Sequence, residues 1–337
     1  MLLEEKKDLR EENNFDHDRW PGGVEAALKV EGALHEQISA DLASNGASYE
    51  AIWQLLEDDV SRDWLVQLVA YWLLGHRHVR LPTNTPEHWA IRSAVKAIPS
   101  KPSEFSGYFL PLRVQDIEFE GERISVDGSW ANVAWTFFFR QYYFARDEVS
   151  IAPMHGDRVI DAGGCYGDTA LGFAARVGES GRVACFEIDP ANATIARHNL
   201  DHNPALGGRI DFRECALAHA EIPLYLHGSG PGAQVTSQPG PHSLTVATID
   251  RLIESGDLDR VDFIKMDIEG AELGALVGAE ASLKRYRPRL AISLYHLPGD
   301  FWRIPLWLHS LDLGYRFYLD HYTIHREETV LYAEAAA

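Results

Sequence analysis

Residues 157–189 read DRVIDAGGCYGDTALGFAARVGESGRVACFEID. The residue types follow one another as strand, glycine turn, helix and strand. Val159 and Ile160 form a short buried strand that ends at Asp161, and Ala162 to Gly167 form the turn. Asp168 and Thr169 cap and charge a helix start, whose apolar positions are Leu171, Phe173, Ala174 and Val177. Gly178 and Gly181 mark its end. Val183 to Phe186 is a second buried strand, with Glu187 at its carboxyl end. This is half of a doubly wound sheet, and such sheets bind ligands at the carboxyl ends of their strands.

The charges around the turn select the ligand. A dinucleotide turn offers backbone N–H groups and a helix dipole to a pyrophosphate. Here Asp161 directly precedes the glycines. A carboxylate in that place is expected to repel a phosphate and to attract an ammonium or a sulfonium. S-adenosylmethionine carries both cations and no phosphate. Glu187 suits an acceptor of hydrogen bonds from ribose hydroxyls, a requirement shared with NAD. The expected cofactor site is therefore Asp161, Gly163, Gly164, Gly167, Asp168, Thr169, Glu187 and Ile188. The plainer alternative is an ordinary βαβ unit, which would crowd two acids at one sheet edge without gain.

The chain has 31 basic and 50 acidic side chains, a formal net charge of −19. That balance argues against a nucleic-acid partner, which needs a basic surface. It favours a neutral or cationic substrate. Cys165, Cys185 and Cys215 lack metal spacing and read as reduced, small residues of a cytoplasmic protein. The start, MLLEEKKDLREENN, has no apolar core and is not a signal peptide. The most apolar run, Trp64 to Leu74, is too short for a membrane span, which takes about 20 residues.

Three segments are expected: a helical unit over 1–105, a hairpin and aromatic helix over 106–150, and a cofactor-binding domain over 151–337. Met1 to Asn14 is a charge run. Helices are expected over Val24 to Leu42, from Ser48 to Val60, and from Ser61 to a stop at Gly75. Thr85-Pro86-Glu87 starts another, with a capping hydroxyl, proline at the first position and an early acid. The Trp and Leu residues of these helices read as core, or as a surface through which copies form a homo-oligomer. Ile117, Phe119, Ile124 and Val126 alternate around Glu120-Gly121-Glu122 as a hairpin. Trp130 to Asp147 reads as an aromatic helix, from which Gln141, Tyr142 or Tyr143 closes over the cofactor. Further strands are expected at Ile210 to Phe212, Ile222 to Leu226, Leu244 to Thr248, Val261 to Met266 and Pro288 to Leu294. Helices follow from Asp250, from Glu269 through Leu283, and over Phe301 to Leu313. The Gly/Pro-rich Gly228 to Pro241 is expected as a mobile loop, either a lid or a plain hairpin connection. Tyr315 to Leu319 and Thr329 to Tyr332 close the chain as two strands, one of them antiparallel.

The second half resembles a known family. VIDAGGCYGDTAL, CFEIDPANATIARHNL, TID followed by VDFIKMDIEGAELGALVGA, and ETVLYA are similar to the FkbM family of S-adenosylmethionine-dependent methyltransferases, over about Ala131 to Ala333. The resemblance implies an α/β fold: a Rossmann-like, seven-stranded class I methyltransferase sheet with its last strand antiparallel, here preceded by the N-terminal helical domain. It implies O-methylation of hydroxyls on sugars or polyketide-type natural products, hence a small-molecule or glycan acceptor. It adds Cys215 and Ala216 to the cofactor site and sets Asp267 beside the reactive methyl.

An alcohol attacking a sulfonium methyl must be aligned with it and must lose a proton. Asp267 and His296 stand at the carboxyl ends of central strands and are the candidate catalytic pair. Tyr143, His321 and Tyr322 are candidates for the substrate pocket. Lys265 sits inside an apolar strand, where an ammonium needs a partner, so an ion pair with a neighbouring strand-end carboxylate is expected. Asp267, Glu269 and His296 could hold a divalent ion, but acids at a strand end more often bond the next helix's N–H groups. The expectation is therefore no metal. Two other readings stand beside the enzyme: a binding or scaffold protein that keeps the nucleoside pocket, and transfer to a peptide or lipid.

Overall fold

The computed structural model describes residues 14–20, 22–108, 110–228, 230 and 234–336. The charge run before Asn14, and residues 229 and 231–233 of the Gly/Pro-rich stretch, lie outside these. The central sheet has seven strands: β1 Arg158–Ala162, β2 Arg182–Phe186, β3 Ile210–Arg213, β4 Phe263–Met266, β5 Arg289–Ser293, β6 Tyr315–His321 and β7 Thr329–Ala335. Their order is β6-β7-β5-β4-β1-β2-β3. Only β7 is antiparallel to its neighbours within this sheet. This is the sheet expected of a class I methyltransferase. The chain moves outward from β1 to β3 and returns on the other side of β1 at β4. Connections leaving the carboxyl ends of β1 and β4 diverge, and a crevice opens there.

Both faces of the sheet are covered, which explains why its central strands are apolar at almost every position. One face carries helix α1, Gly23–Leu55, and α2, Asp59–Leu74. Ile38, Ile52, Leu65 and Leu68 join Ile264, Leu290 and Leu331 in one buried cluster. The N-terminal helices therefore share the core of the sheet and do not enclose one of their own. The two helices expected before Val60 are both present: they run on as one element that kinks at Asn45 (φ −127°, ψ 20°), in the interval expected between them, and the second ends at Leu55. Ser61 does not start α2. Asp58 caps it by accepting the Ser61 N–H at 2.6 Å, and the Ser61 hydroxyl accepts from the Leu319 N–H of β6 at 2.9 Å. Helix α3, Pro86–Lys96, begins at the predicted residue, where the Thr85 hydroxyl accepts the His88 N–H.

The other face carries the hairpin Arg113–Phe119 with Glu122–Gly128, and helix α4, Asp168–Val177. Phe119, Ile124 and Phe173 pack there with Phe263 and Tyr332. The aromatic segment differs from expectation. It is helical only to Phe138, ending in a widened π-type turn over Ala134–Phe138. Arg140 then takes φ 54°, which no helix accommodates, and Phe144–Arg146 pairs as a strand with Val149–Ile151. The long helix expected from Glu269 is two short ones, Glu272–Val277 and Glu280–Tyr286. In the Gly/Pro-rich stretch, Tyr225–His227 pairs antiparallel with Gln234–Thr236, so it is a hairpin connection.

The described N-terminal segment is fastened across this frame. Phe15 is buried, and Asp16 accepts two 2.8 Å hydrogen bonds from Arg92 of α3, both residues being buried. The Arg92 guanidinium also lies over the rings of Trp89 and Trp130. Arg92→Met would leave Asp16 buried without its cation, an expected loss of about 3–5 kcal/mol. Denaturant unfolding measures this, and an unchanged midpoint would show that the pair contributes nothing. The double variant Arg92→Met with Asp16→Leu should recover much of the loss.

Candidate active site

The site grows from the carboxyl end of β1. Gly163 has φ 82°, and a Cβ built on it would lie 1.8 Å from the Asp267 carbonyl oxygen. Only glycine lets the turn after β1 pass this close to the end of β4. A Cβ on Gly164 would meet Cys185 Sγ at 2.2 Å. Gly167 donates its N–H to the Gly164 carbonyl and leads into α4.

Glu187 ends the same turn from the side of β2. Its Oε2 accepts the Cys165 N–H at 2.7 Å, and its Oε1 accepts the N–H groups of Ile188 and Asp189 at 2.7 and 2.8 Å. Burial raises its carboxyl above the ordinary range, while these three bonds oppose that shift. Oε1 is filled by its two bonds, and Oε2 keeps one acceptor site for a hydroxyl in the crevice.

Asp161 has a different task from the one its position suggests. It is fully buried and does not line the crevice. Lys265 stands beside it in register on β4, with Nζ 3.0 Å from Oδ1, and the Thr169 hydroxyl donates to Oδ2 at 2.7 Å. Lys265 also donates to the carbonyls of Ala162 and Gly163, at 3.1 and 2.6 Å. Burial opposes the ammonium, but Asp161 and Asp267 outweigh it, so Lys265 stays charged. The predicted ion pair of Lys265 is present, and its partner is the very carboxylate expected to attract the ligand's cation. The reason is cross-strand register, which cancels the charge of Asp161 before it can reach the crevice.

The crevice is a cavity of about 960 Å³. Gly163, Asp168, Thr169, Glu187, Ile188, Cys215 and Ala216 line it, as do Asp267 and His296. Gly164 and Gly167 stand behind the wall. Asp168 is buried, accepts the Thr136 hydroxyl at 2.6 Å from the widened turn, and is raised in pKa by burial. Asp267 accepts the Tyr142 hydroxyl at 2.9 Å on Oδ2 and the Tyr295 hydroxyl at 2.9 Å on Oδ1. His296 Nε2 lies 3.3 Å from Asp267 Oδ1, and its Nδ1 lies 2.9 Å from Glu272 Oε1. Burial disfavours the imidazolium, but Glu272, Asp267 and Glu269 together raise its pKa to about 10. In this state His296 is a cation and cannot take a proton, which leaves Asp267 as the proton acceptor of the candidate pair.

Three substrate candidates lie elsewhere. Tyr143 faces Phe119 and Phe173 in the core, because the turn at Arg140 sends Tyr142, not Tyr143, to the cavity. His321 is buried, with Nδ1 2.8 Å from Thr329 Oγ1, and burial lowers its pKa to about 3. The Tyr322 hydroxyl meets that of Tyr332 at 2.7 Å, away from the cavity wall. The far end of the cavity is formed instead by Trp130, Trp135, Gln141 and Glu328, with Asp16 and Arg19 of the N-terminal segment. Of these only Gln141 was singled out in the sequence, together with Tyr142, as a residue closing over the cofactor, and both line the cavity. Tyr295 had a weaker signal, since it stands beside His296 at the end of β5.

The fold and this crevice define a class I methyltransferase architecture. Residues 161–317 match the family described as the methyltransferase FkbM domain. Among solved structures, it is similar to an FkbM methyltransferase from Methylobacillus flagellatus, at 22% identity and a TM-score of 0.56. The match covers 88% of this chain and 60% of that one, so this chain spans less than two thirds of that protein's length. A SAM-dependent methyltransferase from Aquifex aeolicus matches 55% of this chain and 86% of its own, at 16% identity and a TM-score of 0.34. An O-methyltransferase from Bacillus cereus in complex with SAH matches 54% and 75%, at 18% and 0.36. No curated protein matches the chain. Among the described residues, no helix is long and apolar enough to cross a membrane.

Asp161→Asn should act on the fold, because it leaves Lys265 buried without its anion. The expected loss is about 3–5 kcal/mol in denaturant unfolding. Full stability combined with lost cofactor binding would return Asp161 to the role of a free anion in the crevice.

Proposed function

We propose that this protein is an S-adenosylmethionine-dependent O-methyltransferase whose acceptor is a hydroxyl of a sugar, a glycan or a glycosylated or polyketide-type natural product. The observation that carries the reading is the pair of carboxylates across one cavity, Glu187 at the end of β2 and Asp267 at the end of β4. Glu187 has one acceptor site left, on Oε2, for a ribose hydroxyl. Ile188, Cys215 and Ala216 offer the flatter, less polar wall that an adenine needs. Asp168, Glu187 and Asp189 surround this end with carboxylates, which suits a cationic nucleoside better than a diphosphate. Lys265, the cation nearest the glycine turn, is engaged by Asp161.

Bound S-adenosylmethionine would supply a methyl group on a sulfonium, already electrophilic. The protein's part is to align the acceptor, exclude water and remove one proton. When the acceptor oxygen takes the methyl group and the S–CH3 electron pair returns to sulfur, Asp267 would be the residue that receives the hydroxyl proton. Tyr142 and Tyr295 hold that carboxylate in place, and His296 flanks it. At the acceptor end, the rings of Trp130 and Trp135 lie 5.6 Å apart, beside Gln141 and Glu328. Apolar faces next to hydrogen-bonding edges suit a sugar ring. The N-terminal helices share the buried core of the sheet, which supports reading them as part of the enzyme and not as a separate binding or scaffold unit.

Calorimetry should show one site for S-adenosylmethionine and none for NAD; NAD binding without S-adenosylmethionine binding would refute the proposal. Glu187→Ala should weaken the cofactor about tenfold or more. With a hydroxylated acceptor identified by mass gain of one methyl group, Asp267→Asn should lower turnover by about 10²–10⁴. Wild-type turnover in that variant would remove Asp267 from the proton transfer.

A further inference from the structure

We infer that Asp267, Glu272 and His296 form a divalent metal site at the floor of the cavity. Each residue offers one ligand atom, and the three atoms lie within 4.8 Å of one another. That spacing suits a shared ion, since oxygen and imidazole ligands stand about 2.0–2.4 Å from a divalent metal. The three side chains come from separate elements around the ends of two central strands: Asp267 follows β4, Glu272 opens the helix Glu272–Val277, and His296 follows β5.

Two orphaned atoms distinguish this group from an ordinary acidic cluster. Glu272 is fully buried; its Oε1 accepts the Ile268 N–H at 2.8 Å, but its Oε2 has no hydrogen-bond partner. The His296 side chain is 8% exposed, and its Nδ1, although 2.9 Å from Glu272 Oε1, has no hydrogen-bond partner either. A buried carboxylate oxygen without a donor is costly, and the cost disappears if its lone pair meets a cation. The charge count agrees. Asp267, Glu272 and Glu269, whose Oε2 is 3.8 Å from His296 Nε2, place three carboxylates around one imidazole. A divalent ion bound to the neutral imidazole, with release of its proton, would balance two of them.

The donor set names the class of ion. Two carboxylates and one imidazole suit Mn2+ or a neighbouring divalent metal better than a soft, thiolate-seeking one. Asp267 and His296 line the cavity, and Glu272 closes the group from behind, so the open coordination positions face the acceptor end. There the ion would lower the pKa of an acceptor hydroxyl and so ease its proton loss. That last role rests on the methyl-transfer reading; the binding of the ion does not.

The test is titration of the metal-stripped, full-length protein with Mn2+, followed by electron paramagnetic resonance, with Mg2+ and Zn2+ as competitors. The expected result is one equivalent of Mn2+ per chain. Glu272→Gln keeps an oxygen for the Ile268 N–H and should weaken the ion at least about tenfold, as should His296→Ala. S-adenosylmethionine binding, measured on the same samples, checks folding and separates the two readings. Ion binding without S-adenosylmethionine binding would keep the metal site and defeat the methyl-transfer reading. Normal S-adenosylmethionine binding with no uptake of any of the three metals would overturn the site. Unchanged Mn2+ affinity in both variants would overturn it as well.

Discussion

One buried ammonium holds the centre of this molecule together. Lys265 reaches from β4 to β1, neutralises Asp161, and ties down the carbonyls of Ala162 and Gly163. A charge that deep survives only if every donor is used. Because it is satisfied at the start of the glycine turn, the turn is fixed against β4. That contact sets Gly163 under the Asp267 carbonyl and points the Asp267 side chain into the crevice. Cofactor side and acceptor side are thus joined through one cross-strand pair.

The same pair shows where reading the sequence stops. The βαβ unit from Asp157 to Asp189, the strand ends and the antiparallel last strand were legible, because they depend on local periodicity and turn residues. Asp161 was legible as an acid at a strand end, and Lys265 as an ammonium in need of a partner. Neither reading revealed that they meet, because register between β1 and β4 arises from about a hundred intervening residues. The electrostatic argument for a cationic ligand survives through other residues. Asp168, Glu187 and Asp189 carry it, and these face the cavity.

Short-range irregularity explains most of the other differences. A run of aromatics does not signal a π-type turn, nor the φ 54° of Arg140 that exchanges Tyr142 for Tyr143 at the cavity. His321 is the last residue of β6, paired with Thr329 of β7, and its ring turns into the core beside Thr329. The N-terminal helices looked separable because their apolar faces are complete in sequence. In the fold those faces join the buried cluster that holds Leu290 and Leu331 of the sheet.

The acceptor end follows from this covering role. Once α3 is anchored near the sheet, Arg92 can hold Asp16, and the segment after Asn14 runs along the mouth of the cavity. Arg19 then reaches Glu327 at 2.7 Å, in the connection that leads into β7. The wall facing the acceptor is therefore assembled from the N-terminal segment, the aromatic turn and the β6–β7 connection. The aromatic turn also reaches the start of α4 beside the glycine turn, where the Thr136 hydroxyl donates to Asp168, so substitutions there would disturb the expected cofactor side as well. On the proposed reading, the N-terminal segment and the β6–β7 connection are the two parts that can alter what the acceptor pocket admits while the glycine turn, Glu187 and the Lys265 pair stay unchanged.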